Sequence, residues 1–303
     1  MSWETIPELV RSAADRFGDD EAVIDGPARL TFRDLASRVL VAAGAFRDAG
    51  IGAGDRVALW APNSAGWIVA AFGLLTAGGV LVPVNTRYKA SEAAEVISRS
   101  GAKLTLIQQD FLGTDYASYA AGAGVPVIDL ASGFLASGRP HSARVSGDDP
   151  CDVFYTSGTT GRSKGVVMSH ARTVRAWVEW CELVGLTRGD RYLIVNPFFH
   201  VFGYKAGLIA SLIAGAAVLP VPVYDGDTVL SLVEHEKITV LPGPPALYHS
   251  LLTAAAERNR DLSSLRIAVI GAADVPVALV ERIRRELPFE AVLTGYGLTE
   301  AGG

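Results

Sequence analysis

The chain has 303 residues, of which 50% are hydrophobic and 19% charged, enough apolar material for one large or two ordinary domains and too much for a disordered chain. The net charge is −5 and no basic stripe is present, which argues against nucleic acid as a partner. The two cysteines, Cys151 and Cys181, have no metal-ligand spacing and make no disulfide framework, which fits a reducing cytoplasm.

The opening MSWETIPELV lacks the basic-then-apolar pattern of a secretory signal. Thr5 and Glu8, with Pro7 between them, form a capping box, so a helix is expected up to Phe17, stopped by Gly18. Strands at 21–24 and 29–31 read as a hairpin around Gly26 and Pro27. Thr31 with Asp34 opens a helix over 32–49 that gathers Leu35, Val39, Ala42, Ala43 and Phe46 on one face. A strand follows at 56–60, and Pro62-Asn63-Ser64 starts the next helix. Two uncharged apolar stretches, 64–84 and 206–224, approach membrane-spanning length. Both are interrupted by glycine and end in proline, so each reads as a helix, a tight turn and a buried strand. Within them LLTAGGVLVPV (74–84) lines up with SLIAGAAVLPV (211–221), which suggests two similarly built α/β units. The stretch 113–150, rich in Ala, Gly and Ser, gives a weaker pattern, with a strand at 125–130 and a loop over 137–149 that suits a surface excursion.

YTSGTTGRSKG, at 155–165, follows the apolar run Val153-Phe154-Tyr155 and precedes Val166-Val167-Met168. Glycines let backbone N–H groups converge on an anion, hydroxyls add donors and lysine adds charge. The segment therefore suits a phosphate cradle, although it lacks the G-x-x-x-x-G-K-[ST] spacing. On composition alone an exposed hairpin tip suits it equally. After it, a helix is expected over 171–184, then strands at 191–195, 238–241, 265–270 and 291–294, alternating with helices at 227–236 and 277–286. Strands here end in polar, Gly or Pro segments: NPFFHVFG (196–203), PGPP (242–245), GAAD (271–274) and GYGLTE (295–300). In open α/β sheets ligands bind beyond the carboxyl ends of the strands, so these segments are expected to line one cleft. Taken singly, His200 beside aromatics suits a satisfied core residue, and Gly271-Ala272-Ala273 suits close packing.

Together and in order, YTSGTTGRSKG, NPFFHVFG, GAA, YGLTE and the early AGGVLVPVN (77–85) resemble the AMP-forming acyl-CoA synthetases, the adenylate-forming enzymes. The wording NPFFHVFGYKAG, VLPGPPALY and LSSLRIAVIGAADVP is most similar to actinobacterial steroid-acid CoA ligases. The resemblance implies an α/β fold of two similarly built, largely parallel sheet-and-helix subdomains. It places 62–204, with the phosphate loop, in the first and 1–61 with 205–303 in the second. It implies activation of a carboxylic acid, fatty or steroid-derived, with ATP and Mg²⁺ to an acyl adenylate, then transfer to coenzyme A. By the same resemblance Thr156, Ser157, Gly158, Thr159, Thr160, Gly161 and Lys164 would hold the β- and γ-phosphates. Gly271, Ala272 and Ala273 would face adenine, Tyr296 would stack on it beside Gly297, and Thr299 would donate to a phosphate oxygen. Glu300 would hold Mg²⁺, and His200 would flank the acyl carboxylate or gate its tunnel. The family's ribose-binding Asp, barrel subdomain, hinge and C-terminal lid with its catalytic Lys have no counterpart before Gly303. Turnover by this chain alone is therefore not expected, and exposed core surface is expected to promote homo-oligomers or aggregation. A non-catalytic nucleotide- or acyl-binding module is the alternative. Within the enzyme class an amino-acid-activating domain is a rival, disfavoured because 198–202 offers no carboxylate to a substrate ammonium.

Overall fold

The computed structural model describes residues 3–156 and 163–301, the side chain of Ala301 excepted. Its strands form two sheets. The six-stranded sheet has the order β6-β5-β3-β4-β7-β8, and the seven-stranded sheet the order β13-β12-β11-β9-β10-β1-β2. In the first, β3 (Arg56–Trp60), β4 (Val80–Pro83), β5 (Leu104–Ile107), β6 (Val127–Asp129) and β7 (Pro150–Thr156) run parallel, and β8 (Lys164–Ser169) is an antiparallel edge. In the second, β1 (Glu21–Asp25), β9 (Arg191–Ile194), β10 (Ala217–Pro220), β11 (Val240–Gly243), β12 (Ile267–Ile270) and β13 (Ala291–Thr294) run parallel, and β2 (Ala28–Thr31) is the antiparallel edge. Neither sheet closes on itself.

The local signals act as expected at the helix starts. The helix α1 (Ile6–Phe17) carries a complete Thr5/Glu8 capping box, and α2 (Phe32–Asp48) a complete Thr31/Asp34 box. The first apolar stretch becomes α3 (Ala65–Thr76), capped by Ser64 and almost wholly buried, then a turn with Gly78 at φ 84° and β4. The second becomes a three-residue turn of helix, α7 (Val201–Gly203), a π turn (Tyr204–Ile209) and α8 (Ala210–Ala214), followed by β10. Among the described residues no helix is long and apolar enough to cross a membrane.

One apolar cluster joins residues of α1, α2, α3, α8 and α6 (His170–Val184) to both sheets, so these helices fill the space between them. On the outer face of the seven-stranded sheet pack α9 (Gly226–Glu236), α10 (Pro245–Glu257) and α11 (Val277–Glu286). On the outer face of the other sheet pack α4 (Ala90–Ser100) and α5 (Tyr116–Ala121). The layers thus alternate helix, sheet, helix, sheet, helix, the arrangement that buries both faces of a parallel sheet.

One expectation differs from the structure, and a second is refined by it. Sheet membership does not follow the exchange expected at 61/62 and 204/205: β3 pairs with β4 and β5, while β9 pairs with β10 and β11. The chain crosses from one sheet to the other between β2 and β3 and again between β8 and β9. Strands as apolar as these fit either sheet, so their neighbours decide. The stretch 113–150, read as a surface excursion, is largely exposed over 130–149 but is tied down there as a strap across α2 and α3. His141 N donates to Leu40 O at 3.0 Å, Ala143 N donates to Thr76 O at 2.9 Å, and Phe134 packs edge-on against Phe46.

Candidate active site

The segments after β9, β12 and β13 converge beside α6, as their place at the carboxyl ends of parallel strands requires. They enclose a cavity of about 110 Å³ lined by His200, Val201, Phe202, Gly271, Ala272 and Tyr296, among others. Gly297 and Thr299 complete the β13 side, and Trp177 and Trp180 of α6 form the opposite wall. Six residues expected at a nucleotide and acid site, His200, Gly271, Ala272, Tyr296, Gly297 and Thr299, therefore meet in one place. His200 is the only ionisable group other than Tyr296 among the described lining residues, and no carboxylate is present there.

The fold explains how each is held. His200 caps α7, its Nδ1 accepting from Phe202 N at 3.2 Å. That bond leaves the ring proton on Nε2 in the neutral form. The residue is exposed at the cavity, yet its ring is packed closely enough that desolvation lowers its pKa. Ala272 lies at φ 65°, a left-handed conformation that L-residues seldom adopt and that recurs at functional sites. A Cβ on Gly271 would meet Gly295 O at 2.7 Å, so this glycine is required by the close approach of the β12 and β13 ends. Ala273 is exposed and stands outside the cavity wall.

The residues expected to hold phosphate join through one contact. Thr156, the last residue of β7, donates from Oγ1 to Glu300 Oε1 at 3.2 Å. Lys164, the first residue of β8, pairs with Thr156 across the hairpin and is exposed. β7 and β8 are thus paired as neighbouring antiparallel strands. Ser157, Gly158, Thr159, Thr160 and Gly161 lie outside the described residues. Glu300, an exposed carboxylate beside a threonine hydroxyl, fits Mg²⁺, which takes one or two carboxylates and completes its octahedron with water and phosphate. Among the described residues no group of three or more His, Cys, Asp or Glu converges to hold a metal by protein ligands alone.

Sequence reasoning missed three side chains. Trp177 and Trp180 were read only as part of a helix, yet they form a wall of the cavity and pack on each other with centroids 5.5 Å apart. Their Nε1 atoms are buried without an acceptor among the described residues. Asn63, read as part of a helix start, instead reaches from the end of β3 to the other sheet. Its Nδ2 donates to Ile194 O and Asn196 O at 3.2 and 3.0 Å, and its Oδ1 accepts from Phe198 N at 2.8 Å. The buried asparagine thereby fixes the segment that carries His200. A larger cavity of about 610 Å³ lies on the other side of that segment, with Asn63, Arg87, Asn196, Phe199 and Tyr224 in its wall.

The family model described as AMP-binding enzyme matches residues 10–303. A 3-[(3aS,4S,7aS)-7a-methyl-1,5-dioxo-octahydro-1H-inden-4-yl]propanoyl:CoA ligase of Rhodococcus jostii is 44% identical over 98% of this chain and 63% of its own length. The ligase of the same name from Mycobacterium tuberculosis is 42% identical over 99% of this chain and 63% of its length. The chain thus spans less than two thirds of these relatives. A feruloyl-CoA synthase from Amycolatopsis is 35% identical over 92% of this chain and 56% of its own. Among solved structures, the inhibitor-bound N-terminal domain of FACL13 from M. tuberculosis superposes with a TM-score of 0.89 at 29% identity, covering 99% of this chain and 78% of that one.

Proposed function

The chain belongs to the AMP-binding enzyme family, and from that premise we propose that it holds ATP and a carboxylic acid side by side for condensation to an acyl adenylate, the first step toward a CoA thioester. The observation that carries this reading is the convergence of His200, Gly271, Ala272, Tyr296 and Thr299 on one cavity, joined to the phosphate hairpin by the Thr156–Glu300 bond. In the reaction a carboxylate oxygen attacks the α-phosphorus as the bond to pyrophosphate breaks, with little covalent work for the protein. Positioning and charge stabilisation do most of it. Lys164 and Thr156, with the hydroxyls and glycines of 157–161, supply donors and positive charge to the departing phosphates. Gly271 and Ala272 offer the base a flat, small-residue edge, and Tyr296 offers it a ring. His200, neutral and donating from Nε2, orients the acid. Mg²⁺, when bound at Glu300, would neutralise phosphate charge.

The acid we infer has an uncharged body, since no carboxylate lines the described wall to meet an ammonium. A ring-ketone acid of the kind named for the Rhodococcus relative has such an uncharged body. Free, buried Cys151 and Cys181 suit a reducing compartment such as the cytoplasm.

The test is thermal unfolding with MgATP. Saturating nucleotide stabilises by about 2.7 kcal/mol at a hundredfold excess over Kd, which raises Tm by several degrees. Wild type should show that shift and Lys164→Ala should lose most of it. No shift in wild type contradicts the reading.

A further inference from the structure

Three elements that each deliver one part of the proposed site meet at a buried ion pair outside it. Lys205 and Asp152 are both 0% exposed, and the Lys205 ammonium lies 3.1 and 3.0 Å from the two Asp152 carboxylate oxygens. Lys205 Nζ also donates to Thr173 Oγ1 at 3.2 Å, and Cys151 Sγ donates to Asp152 Oδ2 at 3.1 Å. The ammonium stands 5.5 Å from the centroid of Phe154. Removing two charges from water costs several kcal/mol per ion, and well-packed apolar side chains in their place are often neutral or stabilising. Stability alone is therefore a poor reason for ions here.

Their position offers a better one. Side chains two apart on a strand share a face, so Asp152, Phe154 and Thr156 look the same way from β7, and Thr156 is the residue bonded to Glu300. Thr173 lies four residues before Trp177 on the buried face of α6, the helix that walls the cavity. Lys205 lies in the π turn that follows His200 and α7, and its neighbour Ala206 lines the cavity. A π turn is rare and is frequently found at functional sites. A fully satisfied polar network in a dry core fixes a single geometry.

We propose that the Lys205–Asp152–Thr173 junction is a positioning device that sets the register between the acid wall, α6 with the π turn, and the nucleotide strand β7. The inference rests on the acid-activating reading. Separate acid and nucleotide make no demand on that register, whereas an acyl adenylate, one molecule spanning both places, does.

Calorimetric affinities for three probes measure this: MgATP, a free keto acid, and the non-hydrolysable acyl-sulfamoyl adenosine made from that acid. They are compared in wild type, in the apolar replacement Asp152→Leu/Lys205→Met, and in Thr173→Val, which keeps the side-chain shape. In the apolar replacement, ATP and acid affinities should stay within about twofold while the conjugate weakens about tenfold or more, because linkage rewards only correctly spaced sites. Tm should hold. A proportionate loss for all three probes, or none, overturns the proposal. If the double variant folds poorly, Thr173→Val decides: a several-fold loss confined to the conjugate supports positioning, and an unchanged conjugate overturns it. A wild type that does not bind the conjugate refutes the acid-activating reading itself, and the inference falls with it. A wild type that binds it, with both variants unchanged, refutes positioning alone.

Discussion

His170 and His200 are both desolvated histidines whose Nδ1 accepts a backbone N–H at a helix start, yet they serve different ends. His170 Nδ1 accepts from Ile6 N at 3.3 Å and so ties α6 to the start of α1. Burial outweighs the pull of Asp149 and Glu8 and lowers its pKa from 6.5 to about 4. A pKa depressed in the folded state means that the unfolded chain binds the proton more readily. The stability tied to His170 is thus complete above about pH 6.5 and is lost as pH falls toward and through about 4. The shift corresponds to about 3 kcal/mol, an order-of-magnitude figure. Denaturant unfolding of His170→Gln should show a flatter fall between those pH values than wild type, and an identical slope would contradict the assignment. His200 stands at the cavity, where its Nδ1 bond to Phe202 N leaves a neutral ring with its proton on Nε2, the donor that the proposed function uses.

At the scale of elements, the strap over α2 sets two effects against each other. Gly44 lies inside α2, where alanine is intrinsically better by about 1 kcal/mol. A Cβ there would sit 1.8 Å from Arg139 O, and one on Gly138 would sit 2.1 Å from Ala45 N. Overpacking against backbone costs about 1–3 kcal/mol and occasionally more. The clash should win, so Gly44→Ala and Gly138→Ala should each destabilise by about 2 kcal/mol. The double variant should cost less than the sum, because either change lifts the same strap. A stabilised Gly44→Ala would show that the approach is looser than drawn. This strap was illegible in the sequence because backbone packed on glycine leaves no periodic apolar pattern. The helix starts at Thr5 and Thr31 were legible because a capping box is written in four consecutive residues. Sheet membership of β3 and β9 was not, because both are short apolar runs and only their neighbours distinguish them.

The whole molecule repeats one winding. The order β6-β5-β3-β4-β7-β8 matches β12-β11-β9-β10-β1-β2, each ending in an antiparallel edge strand, with β13 added beyond β12. The match between LLTAGGVLVPV and SLIAGAAVLPV falls on equivalent places, the helix and strand that lead into β4 and β10. The candidate site sits where the carboxyl ends of the seven-stranded sheet meet the paired strands β7 and β8 of the other. Its motif residues were legible because they are contiguous at strand ends. Trp177, Trp180, Asn63 and the Lys205–Asp152 pair were not, since each acts across a distance that only the packed sheets close. The central claim, that this chain seats an acid and a nucleotide in one continuous site, is tested most directly by calorimetric titration with a panel of acyl-sulfamoyl adenosines. The panel carries a dioxo-indanyl propanoate, ferulate, a medium-chain fatty acid and an amino acid. The account predicts saturable binding displaced by MgATP, strongest for the ring-ketone acid and at least about tenfold weaker, or about 1.4 kcal/mol, for the amino acid. Absence of binding by every conjugate, failure of MgATP to displace them, or preference for the amino acid would contradict it.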